Sequence, residues 1–230
     1  MHFVFENQPS ESSLVDLIYR TESEGMSGES FMSQAASRWE IVFTRQIGKT
    51  WVSLRGPETK ANPAPIPDDA EFLGIVFKLG TYMPHLPTLK LVDEGINLPM
   101  AAGERFYLHG SSWEMPDFEN VDVFIERLVR EQLLVQDAVV TAALEGHQPD
   151  MSVRTIQRRF LHATGLSHKS ILQIERANEA LKLLEQGVPI LDVAFETGFY
   201  DQPHLTKALK LYMGQTPAQI ARMVGMEKVY

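Results

Sequence analysis

The 230-residue sequence contains no cysteine, which excludes disulfides, thiolate metal sites and cysteine nucleophiles. No run of eighteen or more apolar residues occurs, so a spanning helix is not expected. The opening residues MHFVFENQPSE have neither the basic nor the apolar region of a secretory signal, and the expected compartment is the cytoplasm. No Ser/His/Asp order, phosphate loop or carboxylate pair supports catalysis, so neither an enzyme nor a cofactor is expected. His85 and His109 lack the H-x-H plus carboxylate spacing of a metal-binding barrel, and no metal is expected. Positive charge is scarce too: 21 Lys and Arg stand against 30 Asp and Glu, net −9.

That acidic balance argues against a nucleic-acid partner only if it is uniform. Residues 1–120 carry 9 basic and 17 acidic side chains, net −8, whereas residues 121–230 carry 12 and 13, net −1. Within 151–222 the counts are 9 and 6, net +3. Local rather than global charge sets phosphate affinity, so the back of the chain stays eligible for nucleic acid.

With 44% hydrophobic residues the chain can bury a core and has room for two modest domains. Residues 1–118 read mostly as short strands. WEIVFTRQ (39–46) and TWVSLRG (50–56) flank an Ile47-Gly48-Lys49 turn, a hairpin signal. EFLGIVFKLG (71–80) and RFYLHGSSW (105–113) are further strand candidates, and PETKANPAPIPDD (57–69) is too Pro-rich for a helix or central strand and reads as an exposed loop. Together they predict a β-rich barrel or sandwich, cupin-like, over residues 1–118. Near 119 the period changes: Val121, Phe124, Ile125, Leu128 and Val129 recur at helical spacing. This stripe is either the first core helix of a second domain (119–230) or a dimerisation helix. The predicted class is α+β, a β-rich domain followed by an all-α one.

The all-α part contains an internal echo. Ser152, Ile156, Phe160, Gly165 and Ser167 have counterparts 49 residues later in Asp201, Leu205, Leu209, Gly214 and Thr216. In each copy an N-cap opens a helix, apolar residues four apart bury one face and a glycine ends it. Five matches at one offset indicate a duplication. Arg154, Gln157 and Arg158 form a stripe on the first copy, and Gln202, His204, Thr206 and Lys207 crowd the front of the second. Ahead of the second copy, a short helix from Pro189 to Phe195 and a turn at Gly198 complete the layout of a helix-turn-helix, whose second helix offers its N-terminal residues to the major groove. Pro203 is tolerated in the first turn, where amides have no intrahelical partner. Between the copies, HKSILQIERANEALKLLEQ (168–186) is an amphipathic helix of about 28 Å, a spacer that suits half-sites about one helical turn apart.

Residues 152–222 resemble the DNA-binding domain of the AraC/XylS family of bacterial transcription regulators. The resemblance is carried by SVRTIQRRF…TG, ERANEALKLLEQGVPILDVAFETGFYDQPHLTKALK and GQTPAQIAR, in that order. It implies seven helices with two helix-turn-helix units joined by a long helix. It also implies base contacts at Arg154, Gln157 and Arg158 and at Gln202, His204 and Lys207. The β-rich half resembles companion domains that sense small molecules or mediate dimerisation. Two departures stand out. DAVVTAALEGHQPDMS (137–152) makes the first link longer than the family's tight turn, and Leu205 and Pro203 replace an aromatic and a donor.

Arg159 points away from its neighbours and is expected as a phosphate contact or an ion-pair partner. Trp39, Trp51, Arg55, Tyr82, His109 and Trp113 are the candidates for a small-molecule pocket, with core packing the competing reading of each. The expected partners are double-stranded DNA, a small-molecule effector, a second copy of the chain and, for an activator, RNA polymerase; no membrane is expected. A DNA-repair enzyme with a regulator-like domain would need methyl-accepting cysteines, which are absent. A small-molecule-binding or isomerase-type β-barrel with a helical appendage is the other alternative, separable by a shift assay on DNA.

Overall fold

The computed structural model describes residues 2–24, 30–86 and 88–227. Its strands are β1 (His2–Gln8), β2 (Val15–Glu24), β3 (Ser30–Ser33), β4 (Glu40–Gln46), β5 (Lys49–Arg55), β6 (Asn62–Pro65), β7 (Ala70–Phe77), β8 (Thr81–Tyr82), β9 (Gly95–Asn97), β10 (Met100–Ala101), β11 (Arg105–Leu108), β12 (Ser111–Glu114) and β13 (Val135–Gln136). Its helices are α1 (Val121–Arg130), α2 (Ala138–Leu144), α3 (Val153–Thr164), α4 (His168–Glu185), α5 (Ile190–Glu196), α6 (Gln202–Tyr212) and α7 (Pro217–Glu227). A β-rich half thus precedes a helical half with two helix-turn-helix units.

The chain divides into two compact units. The first comprises Met1–Glu29, Arg38–Pro57 and Pro65–Ser167; the second comprises Ser30–Ser37, Glu58–Ala64 and His168–Tyr230. The boundary expected near 119 does not separate them.

In the first unit, a six-stranded antiparallel sheet runs in the order β1-β2-β7-β4-β5-β9. Its two outer strands do not pair with each other among the described residues, so the sheet is open rather than a closed barrel. The expected hairpin is present: β4 and β5 pair Gln46 with Lys49 across a two-residue turn, with Gly48 at φ +71. RFYLHGSSW is not one strand but a hairpin, β11 and β12. His109 and Gly110 both take positive φ between them, +49 and +77, as a two-residue turn that matches strand twist requires.

The helical stripe after 119 becomes α1, and its Val121, Phe124, Ile125 and Leu128 are buried in one cluster with Ile41, Phe43, Val52 and Leu54 of the sheet. Phe124 meets the rings of Phe43 and Trp113 edge-on at 5.4 and 5.6 Å. The period change therefore marks a helix that covers the sheet, which neither expected reading of the stripe described.

The second unit has its own core. Ala177, Ala180, Leu181 and Leu184 of α4 pack with Val193 and Ala194 of α5, Phe199 of the turn that follows it, Leu205, Ala208 and Leu209 of α6, and Ile220 of α7. The expected 168–186 helix is α4, whose 18 residues span about 27 Å at 1.5 Å each. The Pro-rich stretch 57–69 is more than an exposed loop: β6 lies within it and pairs with β3, and Ala36 bridges Glu58.

Candidate nucleic-acid interface

In the second unit, α5 ends at Glu196 with Thr197 as its C-cap, and the chain turns through Gly198 at φ +71, a left-handed conformation that suits glycine. The Gly198 and Phe199 amides donate back to the carbonyls of Phe195 and Ala194, at 3.1 and 2.9 Å. Asp201 then caps α6, its carboxylate accepting from the His204 amide at 2.7 Å. Leu205 and Leu209 are fully buried, while Gln202, His204 and Lys207 are exposed and Thr206 is half-buried. Leu205 therefore packs in the core. His204 Nδ1 accepts from the Tyr200 amide at 3.4 Å, which leaves Nε2 as the ring's donor.

In the first unit, the Asp137 carboxylate caps α2 by accepting from the Val139 and Val140 amides at 3.0 and 3.2 Å. Eight residues, 145–152, lead to α3, where Ser152 accepts from the Thr155 amide at 3.2 Å. The long link thus delivers a normally capped helix. Arg154, Gln157 and Arg158 are exposed on one stripe, Phe160 is fully buried and Ile156 is only half-buried.

Arg159 differs from its neighbours. Its Nε donates to both oxygens of Asp137 at 3.0 Å, and the Asp137 side chain is only 3% exposed. Of the two roles expected for Arg159, the structure displays the ion pair. Asp137 was not singled out from sequence, although an aspartate directly before the apolar run AVV is an N-cap signal. Tyr200, 92% exposed beside the front of α6, and Lys210, exposed on its last turn, carry no such local signal.

The six pocket candidates do not line one site. Trp39 stacks on Phe77 at 4.2 Å and donates to the Thr81 carbonyl at 2.6 Å. Trp113 is 1% exposed, donates to the Leu108 carbonyl and carries the Arg127 guanidinium 3.8 Å over its ring. Both are core residues. Trp51 lies under Lys49, Arg55 faces Glu40 at 4.0 Å and His109 sits in its hairpin against His85. Tyr82 instead meets the ring of His162 on α3 at 5.1 Å, in a cavity of about 350 Å³ shared with Asp137, Arg158 and Arg159.

Comparison with known proteins agrees on the helical half. Residues 148–223 match the family model described as a helix-turn-helix domain. A 48-residue stretch is 48% identical to the uncharacterized HTH-type transcriptional regulator YbfI of Bacillus subtilis (strain 168), covering 21% of this chain and 18% of that protein. The alignment thus spans under a fifth of that relative's length. Among solved structures, apo ToxT from Vibrio cholerae aligns over 94% of this chain and 100% of its own, at 9% identity and a TM-score of 0.42. ToxT bound to (E)-4-(8-methylnaphthalen-1-yl)but-3-enoic acid aligns over 96% and 99%, at 9% identity and a TM-score of 0.43. Scores at this level transfer neither fold nor ligand.

The domain at 148–223 is a helix-turn-helix domain of the AraC type. No described helix is long and apolar enough to cross a membrane.

Proposed function

We propose that this protein is a sequence-specific, DNA-binding transcriptional regulator, which places α3 and α6 in successive major grooves. Arg154, Gln157 and Arg158 read one half-site, and Gln202, His204, Thr206 and Lys207 read the other. The observation that carries the reading is the two-faced character of both helices. Each buries its apolar face in a core and leaves a donor-rich stripe exposed toward its capped end, as base readout in the major groove requires. Arg159 acts in this reading by holding α3 to Asp137.

The same reading assigns the β-rich half to effector sensing or to self-association, and RNA polymerase to the partners if the protein activates. The compartment is the cytoplasm, and no catalysis is involved. Selection of sites from random DNA with the purified protein tests the proposal. If about five to eight phosphates are neutralised, log K should fall against log salt with a slope of about −4 to −7. No enriched sequence together with a flat salt response would leave the barrel-with-appendage alternative standing instead.

A further inference from the structure

The last carbonyls of any α-helix lack intrahelical donors and must find partners elsewhere. Both reading helices find theirs in the N-terminal half of the sequence. On α3, the His162 carbonyl accepts from the Thr88 hydroxyl, within the first unit. On α6, the Leu211 carbonyl accepts from the Ala61 amide at 2.9 Å and the Tyr212 carbonyl from the Ala35 amide at 2.7 Å, within the second unit. His162 and Leu211 are 49 residues apart, the offset of the duplication, so the equivalent carbonyl is satisfied in both copies.

The glycines that follow, also 49 apart, show the same closeness. A Cβ on Gly165 would lie 2.6 Å from Val92 Cγ2 and 3.0 Å from the Thr88 carbonyl oxygen. A Cβ on Gly214 would lie 2.6 Å from Met32 Cγ and 3.3 Å from Ala61 Cβ. The second contact is made by a ribbon, Ser30–Ser37 with Glu58–Ala64, which also reaches α4 through a hydrogen bond from the Ser37 hydroxyl to Glu175. Ala35 and Ser37 are each 2% exposed.

We propose that the ribbon is a built-in part of the second helix-turn-helix, a clamp on the C-terminal end of α6 that makes this reading head dependent on the N-terminal half, as Thr88 does for α3. For its effect on DNA the inference rests on the proposed function; for its effect on α6 it does not. A fragment starting at 119 lacks both the ribbon and Thr88, and so lacks the donors for both helices.

The test uses the full chain and two substitutions that each remove one donor. Ala61→Pro deletes the amide that serves Leu211, and Thr88→Val deletes the hydroxyl that serves His162 while keeping shape. Hydrogen exchange should rise at least tenfold for amides 205–213 in Ala61→Pro and stay at wild-type rates for 156–165; Thr88→Val should show the reverse. On selected DNA, Ala61→Pro should lose at least tenfold in specific affinity, with footprint protection lost from one half-site only. Wild-type exchange in α6, or an equal rise in both helices for both variants, overturns the clamp. Should Ala61→Pro fail to fold, Ser37→Ala gives the same decision: exchange must rise in α4 and α6 and not in α3. If the wild type binds no DNA, the regulator reading falls while the exchange data still decide the clamp.

Discussion

Positions 159 and 208 lie 49 residues apart, at the same place on α3 and α6. The first is Arg159, fixed to the nearly buried Asp137; the second is Ala208, 9% exposed within an apolar cluster. Around them the two units differ consistently. Ile156 is half-buried where its counterpart Leu205 is fully buried, and the links before the helices run over 145–152 and 197–201. Helix α6 is thus held by close apolar packing, whereas α3, whose Ile156 is only half-buried, adds a charge-assisted bond to a carboxylate that also caps α2. A duplicated reading pattern does not require a duplicated means of support. What the copies share is the exposed stripe and the two caps.

Exchanging the supports should give the largest effects. Ala208→Arg puts a guanidinium into the apolar cluster with no carboxylate counterpart to Asp137 there, and should destabilise the second unit by about 3 kcal/mol or more. Hydrogen exchange across α4 to α7 would measure this, because Trp39, Trp51 and Trp113 all lie in the first unit and their fluorescence reports only on that one. A tolerated Ala208→Arg would mean that the two positions are interchangeable after all. Arg159→Ala should cost less, about 1–3 kcal/mol in denaturant unfolding followed by tryptophan fluorescence. Arg159 is 41% exposed, so solvent already screens the pair, and Asp137 keeps its two amide donors. If stability is unchanged and only DNA affinity falls, Arg159 is a phosphate contact.

The parts of this comparison that sequence made legible are those written locally. Ser152 and Asp201 as caps, Gly165 and Gly214 as terminators, and the hairpin at Gly48 are all set by side-chain or φ requirements within a few residues. The ribbon left no such trace. Ala35 and Ala61 serve α6 through backbone amides that every residue but proline possesses, from more than 140 positions away. The Arg159–Asp137 pair is 22 residues apart, across a link of unpredictable course. RFYLHGSSW reads as one strand from sequence because a histidine at positive φ is uncommon, and only Gly110 signals the turn. The pocket candidates failed to converge because aromatic composition signals burial, and both Trp39 and Trp113 are simply buried.

A smaller effect on the molecule, though not on its binding, is expected from the reading stripes. Arg158 and Lys207 are also 49 apart, and both are exposed. Alanine at either should leave unfolding within about 0.5 kcal/mol of wild type. Each should weaken specific DNA binding by about 1–3 kcal/mol and relax preference at one or two base pairs of its own half-site. The Arg158 loss should be the more base-specific, since a guanidinium can engage guanine through two donors while an ammonium acts as a point charge. Binding-site selection with each variant would resolve the two, and an equal loss on every sequence would show that the stripes touch only phosphates.

The smallest effect concerns acid. His85 lies in the first unit with its Nε2 buried and without a hydrogen-bond partner among the described residues, and its ring is 4.4 Å from that of His109. Burial, and secondarily the neighbouring His109, hold its titration below the ordinary histidine value of 6.5. The folded chain therefore takes up this proton less readily than the unfolded chain. Where the unfolded state binds more protons, stability rises with pH. The first unit should accordingly be at full strength above about pH 6.5 and weaken as pH falls through 6.5 toward the depressed folded value, with no further loss from this group below it. Tryptophan-detected unfolding at a series of pH values measures the slope, and His85→Gln, which cannot take up the proton, should flatten it. A slope left intact in His85→Gln would place the acid sensitivity on other groups. Such a result would remove pH from the list of ways in which the first unit differs from the second.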